Sequence, residues 1–196
     1  MPYEMKPLSC NPGALTGLSE KIVVSHYENN YGGAVKRLNV IEEKLAELDW
    51  ATAPVFVING LKREELIASG SMILHEVYFD SLGASAAPAH LAAQLDRDFG
   101  GLEKWATQFA AMGKALAGGS GWVLLAWSAR DRRLVNTWAA DHAHNLAGAT
   151  PILALDMYEH SYHMDYGAKA AAYVDAVMNN LNLESAGRKL ATLQGA

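Results

Sequence analysis

The sequence predicts an α+β chain: an N-terminal antiparallel helical hairpin, then an α/β domain with a small three-stranded antiparallel sheet. Three observations support this. Apolar residues recur at helical spacing through residues 17–82. Short apolar runs bounded by turn residues cluster between residues 121 and 156. Between the two stretches lies GASAAP (83–88), small and weakly polar, which reads as a linker. The expected division is therefore a hairpin domain over 1–84 and an α/β domain over 88–196.

Segment 17–49 reads as helical. Leu18, Ile22 and His26 repeat every fourth residue, and Ala34, Leu38, Ile41, Leu45 and Leu48 alternate spacings of four and three. Gly32–Gly33 separates the two stripes and marks a kink or a close helix approach. PVFVING (54–60) has the length of a buried strand. A second helix is expected from Leu61 to Leu82, with Glu64 and Glu65 near its start and Gly83 as its stop. Two such helices joined by a loop bury one face in an antiparallel hairpin. Helices over about 88–98 and 101–117 follow, closed by Gly118–Gly119. GWVLLAW (121–127) and RRLVNTW (132–138), joined through SARDR, read as a hairpin, with PILALD (151–156) as third strand. Tyr158 to Leu181 returns to helical spacing, and a short terminal helix ends the chain.

Composition narrows the chemistry. The 196 residues are 51% hydrophobic and 19% charged, enough to bury a core without covalent staples. A single cysteine, Cys10, excludes an intramolecular disulfide and any multi-cysteine metal site. A net charge of −5 argues against a broad phosphate-binding surface, so no nucleic-acid partner is expected. No apolar run approaches the roughly 20 residues of a membrane span, and MPYEMKPLSC lacks a signal-peptide core. A cytoplasmic protein without a membrane partner is the expectation. Seven histidines remain. A metal held by this chain is held by imidazole and carboxylate.

Four residues stand out. His26 continues the apolar face of Ile22, and His75 sits among Leu74, Tyr78 and Phe79, so the hairpin seam receives both imidazoles. A buried imidazole needs partners for both ring nitrogens; a metal is one, a backbone carbonyl the plainer alternative. Asp156 ends a strand and His160 follows four residues later, at a helix start. Alone, that pair reads equally well as a capping aspartate with an unrelated histidine. Converging, the four make three imidazoles and one carboxylate, a set that suits iron, manganese or zinc.

These residues also carry a resemblance. PILALDMYEHSYHMDY resembles the proline–hydrophobic run and D-x-W-E-H-A-Y-Y motif of the iron/manganese superoxide dismutase family. SHYENNYGGAVKRLN is similar to its first-ligand helix, GSMILHEVYFDSLG to its second-ligand helix, and GSGWVLLAW to its G-S-G-W strand. The resemblance implies that His26, His75, Asp156 and His160 hold one iron or manganese ion per subunit, iron being favoured. It implies superoxide as substrate and a homodimer, or a tetramer of two dimers. It also gives Glu159 a role across the dimer interface, on the ligand histidine of the partner subunit.

Several positions depart from the family pattern. The glutamine of iron-type members, four residues before the second histidine, is Ser71 here. His142 in DHAHNL is expected to replace it as hydrogen-bond donor at the metal, with His144 the competing assignment and two exposed loop histidines the plain one. The gateway tyrosine is Ala34, and Tyr31 either lends a phenol to the funnel or packs in the helix seam. The interface contact of the family is changed at both ends, to Asn30 and His163. Trp122 retains the first tryptophan of the strand, whereas Leu124, Tyr158 and Phe79 replace three others, and Leu74 replaces an asparagine. The lysine and arginine that guide superoxide are Asn29 and Ala170, with Lys169 a partial substitute, so a slower encounter is expected. A metal-binding protein with weak or lost activity is the alternative function, and a zinc or non-haem iron enzyme acting on an organic substrate the third.

Overall fold

The two apolar stripes of the N-terminal half fold into helical arms packed along each other. The computed structural model describes residues 1–195. The first arm starts at α1 (Glu20–Ser25), where the Ser19 side chain caps the helix by accepting from the Ile22 N–H. A π-helical turn (His26–Tyr31) and α2 (Gly32–Ala46) complete it. The interruption expected at Gly32–Gly33 therefore lies one turn earlier. A π turn closes i→i+5 hydrogen bonds, so residues five apart share a face. His26 and Tyr31 both turn inward, 2% and 1% exposed. The extra residue resets the phase, and the stripe Ala34–Leu38–Ile41–Leu45 begins from there.

The second arm is α3 (Val55–Asp80), which begins six residues before the expected Leu61. PVFVING is not a buried strand. Pro54, fixed in φ and without an N–H, stands just before the first turn, and Val55 and Phe56 are 81% and 75% exposed. Length wins over local β-propensity here, because the arm must match its partner.

GASAAP is pinned rather than loose. The Gly83 and Ala84 N–H groups both donate to the Asn180 carbonyl at 2.9 Å, and Ser85 donates to Leu181 at 3.0 Å. Beyond it come α4 (Ala89–Phe99), α5 (Leu102–Ala115), β1 (Trp122–Ser128), β2 (Arg133–Ala139) and β3 (Ala149–Asp156). The sheet is antiparallel in the order β2-β1-β3, with a bulge at Leu125/Ala126 against β3. The expected helix over 158–181 is broken into a 3-10 turn (Glu159–Ser161), α6 (His163–Tyr166) and α7 (Ala170–Asn179). Gly167, at φ 55°, makes the sharp turn between the last two. The terminal helix is α8 (Leu183–Gly195).

One hydrophobic core runs through both halves, from Ile22 and Leu38 in the arms to Val123, Leu155 and Val174 around the sheet. α3 packs on β3 and α5 on β1, which brings the inner ends of the arms against the end of β3. Among the described residues, no helix is long and apolar enough to cross a membrane. α8 crosses the 83–88 segment at Gly187, where an added Cβ would overlap Pro88 Cγ and lie 3.2 Å from His90 Nε2. Gly187→Ala is therefore expected to cost about 1–3 kcal/mol by overpacking, read as a lowered Tm. An unchanged Tm would contradict this contact.

Candidate metal centre

Each residue of the expected ligand set lies where two elements meet. His26 opens the π turn, His75 faces it from α3, Asp156 ends β3, and His160 follows in the 3-10 turn. The packing of the arms on the sheet brings one donor atom of each within 4.8 Å of the others. Donors sharing one ion at about 2.1 Å lie about 3–4 Å apart, so small side-chain shifts inward would seat one.

The imidazoles have lone pairs to offer. His75 Nδ1–H donates to the Ser71 carbonyl at 2.7 Å, which leaves Nε2 unprotonated and aimed inward. The plainer alternative, a core histidine satisfied by a carbonyl, is thus true of one ring nitrogen only. His75 Nε2 and His26 Nε2 are buried and have no hydrogen-bond partner. Asp156 Oδ2 lies 3.2 Å from both His26 Nε2 and His160 Nε2, and 3.7 Å from His75 Nε2. The His26 approach is close without the angles of a hydrogen bond. Asp156 is wholly buried, and its Oδ1 accepts from the Tyr158 N–H at 2.8 Å. Tyr173 OH donates to its backbone carbonyl at 2.7 Å.

Burial sets the charge states. It drives the His75 imidazole down to about 3, helped by the nearby His26. Burial also lowers His26, against the pull of the Asp156 carboxylate. Asp156 is pushed up by burial, but the neighbouring His160 and His26 outweigh this and hold it well below the usual carboxylate range. An anionic carboxylate beside two neutral imidazoles, His26 and His75, all three out of water, calls for a cation. Three nitrogens and one oxygen, with no thiolate, fit iron, manganese or zinc.

Above the cluster opens a cavity of about 290 Å³. Asn30, Ala34 and Arg37 of the first arm line one side, Ile67, Ala68 and Ser71 of α3 the other, with His142 closing it. Trp122 Nε1–H donates to His142 Nδ1 at 3.1 Å. The His142 ring stacks on Tyr158 at 4.7 Å and lies 5.9 Å from the His75 ring. His144 stands away from the cluster, exposed, with Nδ1 3.4 Å from Asp141 Oδ1. Of the two, His142 is therefore the one at the site.

Other expectations change. Tyr31 does not lend its phenol to the funnel: its oxygen accepts from the Lys6 N–H at 2.9 Å and donates to Glu76 at 3.1 Å, on the far side of the arm. It is the packed aromatic of the helix seam. Asn29 turns back to donate to the Ser25 carbonyl, and Lys169 is not among the residues lining the cavity. Phe79 and Tyr158 stay in the aromatic wall, with Phe79 5.1 Å from the His26 ring. Glu159 and His163 are exposed on either side of the turn that carries His160.

Two residues at the site lie outside the sequence expectations. A Cβ on Gly70 would overlap the His142 carbonyl oxygen, so only glycine lets that loop close on α3. Arg37 reaches the cavity wall because it follows Asn30 and Ala34 by seven and three residues on one helical face.

Comparison with known proteins agrees with the geometry. Residues 87–189 match the family described as iron/manganese superoxide dismutases, C-terminal domain. A Cupriavidus metallidurans protein named as an iron superoxide dismutase is 70% identical over 192 residues, 97% of this chain and 98% of that protein. A Halobacterium salinarum protein named as a manganese superoxide dismutase is 34% identical over 179 residues, covering 89% and 88%. An Aquifex pyrophilus protein named for iron is 34% identical over 180 residues, 87% and 83%. With the fold, the donor cluster and near full-length identity in agreement, the chain belongs to the iron/manganese superoxide dismutase family.

Proposed function

We propose that this chain disproportionates superoxide, turning two superoxide ions and two protons into oxygen and hydrogen peroxide, at one metal ion per subunit. His26, His75, Asp156 and His160 hold that ion. The observation carrying the reading is the buried cluster itself, in which two imidazole nitrogens lack any partner beside an anionic carboxylate. The metal in this reading is iron, for which the 70% identical relative is named. A redox metal bound there supplies the one-electron couple that disproportionation needs, which zinc lacks.

The chain supplies orientation and a hydrogen-bond donor. The Ser71 carbonyl fixes the His75 tautomer, and the Tyr158 N–H holds the Asp156 carboxylate. An indole N–H is a donor only, so His142 Nδ1 must accept from Trp122 and its hydrogen sits on Nε2. That N–H is the positioned donor for an anion or water in the cavity. Peroxide leaves protonated, its two protons coming from solvent, and the His142 N–H orients the group that receives them. Ala34, Ile67 and Ala68 give the cavity apolar walls that limit competing water.

The assembly in this reading is a homodimer. Glu159 and His163 stand exposed beside the turn bearing His160, and Asn30 is half-buried at the cavity. A second copy across that face would receive the Glu159 carboxylate on a ligand imidazole, fixing its ring.

Purified protein is expected to carry iron and to consume superoxide rapidly, and to lose that turnover when the metal is stripped. Iron without turnover would overturn the activity, and zinc with turnover on an organic substrate would replace it. His142→Ala is expected to lower turnover about 10–100-fold and to alter the metal spectrum. An unchanged spectrum and pH–activity profile would reject that role. Gly70→Ala should reproduce the effect with His142 intact. Gly60→Ala, where an added Cβ meets nothing within 4 Å, should not.

A further inference from the structure

We infer that Arg37 is the residue that draws the anionic substrate into the cavity, a positioning role at the mouth that rests on the dismutase reading above. A chain of net charge −5 repels a monoanion unless a local positive field intervenes. Among the described residues lining the cavity, Arg37 alone carries a permanent charge.

The placement favours this use. Arg37 lies eleven residues beyond His26 on its arm, and Glu64 lies eleven residues before His75 on the other. At 1.5 Å per residue each stands roughly 16 Å along its helix from the cluster. The two side chains meet as an ion pair across the gap between the arms, half in solvent. Glu64 does not cancel the field, because its other oxygen lies 3.6 Å from Arg63 Nη1, so the group of three is net positive. The pair also holds the guanidinium over the mouth instead of leaving it to swing in solvent. The guanidinium pairs with Glu64 and stands outside the donor cluster, so it is not a ligand. A charge there changes the rate of encounter, through a field that low-dielectric walls focus inward.

The test compares Arg37→Gln, Arg37→Lys and Glu64→Gln in the metal-loaded protein across ionic strength. Arg37→Gln should lower kcat/KM about 3-fold or more at low salt, leave kcat unchanged, and flatten the fall of kcat/KM with salt. Arg37→Lys should restore most of the slope, and Glu64→Gln should raise kcat/KM and steepen it. Titration with azide, read in the metal spectrum, gives a second measure independent of turnover: Arg37→Gln should weaken azide binding several-fold at low salt only. Equal salt slopes and equal azide affinities in wild type and Arg37→Gln would overturn the inference. If the protein binds iron but does not turn superoxide over, the azide titration alone decides the role of Arg37.

Discussion

A carboxylate with no access to water sets the terms for the rest of this structure. Asp156 lies at the end of β3, wholly buried, with its Oδ2 within 3.7 Å of three imidazole nitrogens. Such a charge is tolerated inside a protein only when an opposite charge and hydrogen bonds meet it. The Tyr158 N–H satisfies one oxygen, and the other faces His160 together with the His26 and His75 imidazoles, which burial holds neutral. The cluster is therefore incomplete as pure protein. A metal ion is the partner that completes it, so the arrangement of helices and sheet is best understood as the means of bringing four donors to one point.

Each element contributes through a specific local device. The π turn lets His26 and Tyr31 both face inward, and the bond to the Ser71 carbonyl orients His75. Pairing between β1 and β3 places Asp156 opposite Trp122, the residue that in turn sets the tautomer of His142. Gly70 lets the His142 loop come down on α3. Ala34 lines the cavity, and the phenol of Tyr31 points elsewhere, to Lys6 and Glu76. The cavity is left with His142 and one arginine, Arg37, among its lining residues. The mismatch between a net-negative chain and an anionic substrate is thus met locally, by a charge placed on the cavity wall.

The sequence made the helical arms, the three strands and the convergence of His26, His75, Asp156 and His160 legible, because each rests on periodicity or on unbroken motif spacing. The π turn escaped it, since a one-residue shift in phase looks like a break at the nearest glycines, Gly32–Gly33. PVFVING misled for a related reason: β-branched apolar residues read as a strand, yet they form the exposed first turns of α3. The helical spacing after Tyr158 concealed the 3-10 turn that carries His160 and, further on, the reversal at Gly167. Gly70 and Arg37 were invisible for a different reason. Their importance lies in contacts between distant segments, and no local pattern records those.

X-ray absorption at the iron edge of the purified protein tests the central claim most directly. The account predicts one ion with three nitrogen donors and a carboxylate oxygen at about 2.0–2.2 Å, and loss of that signature in Asp156→Ala. A spectrum with sulfur or all-oxygen donors, or one unchanged by Asp156→Ala, would contradict it.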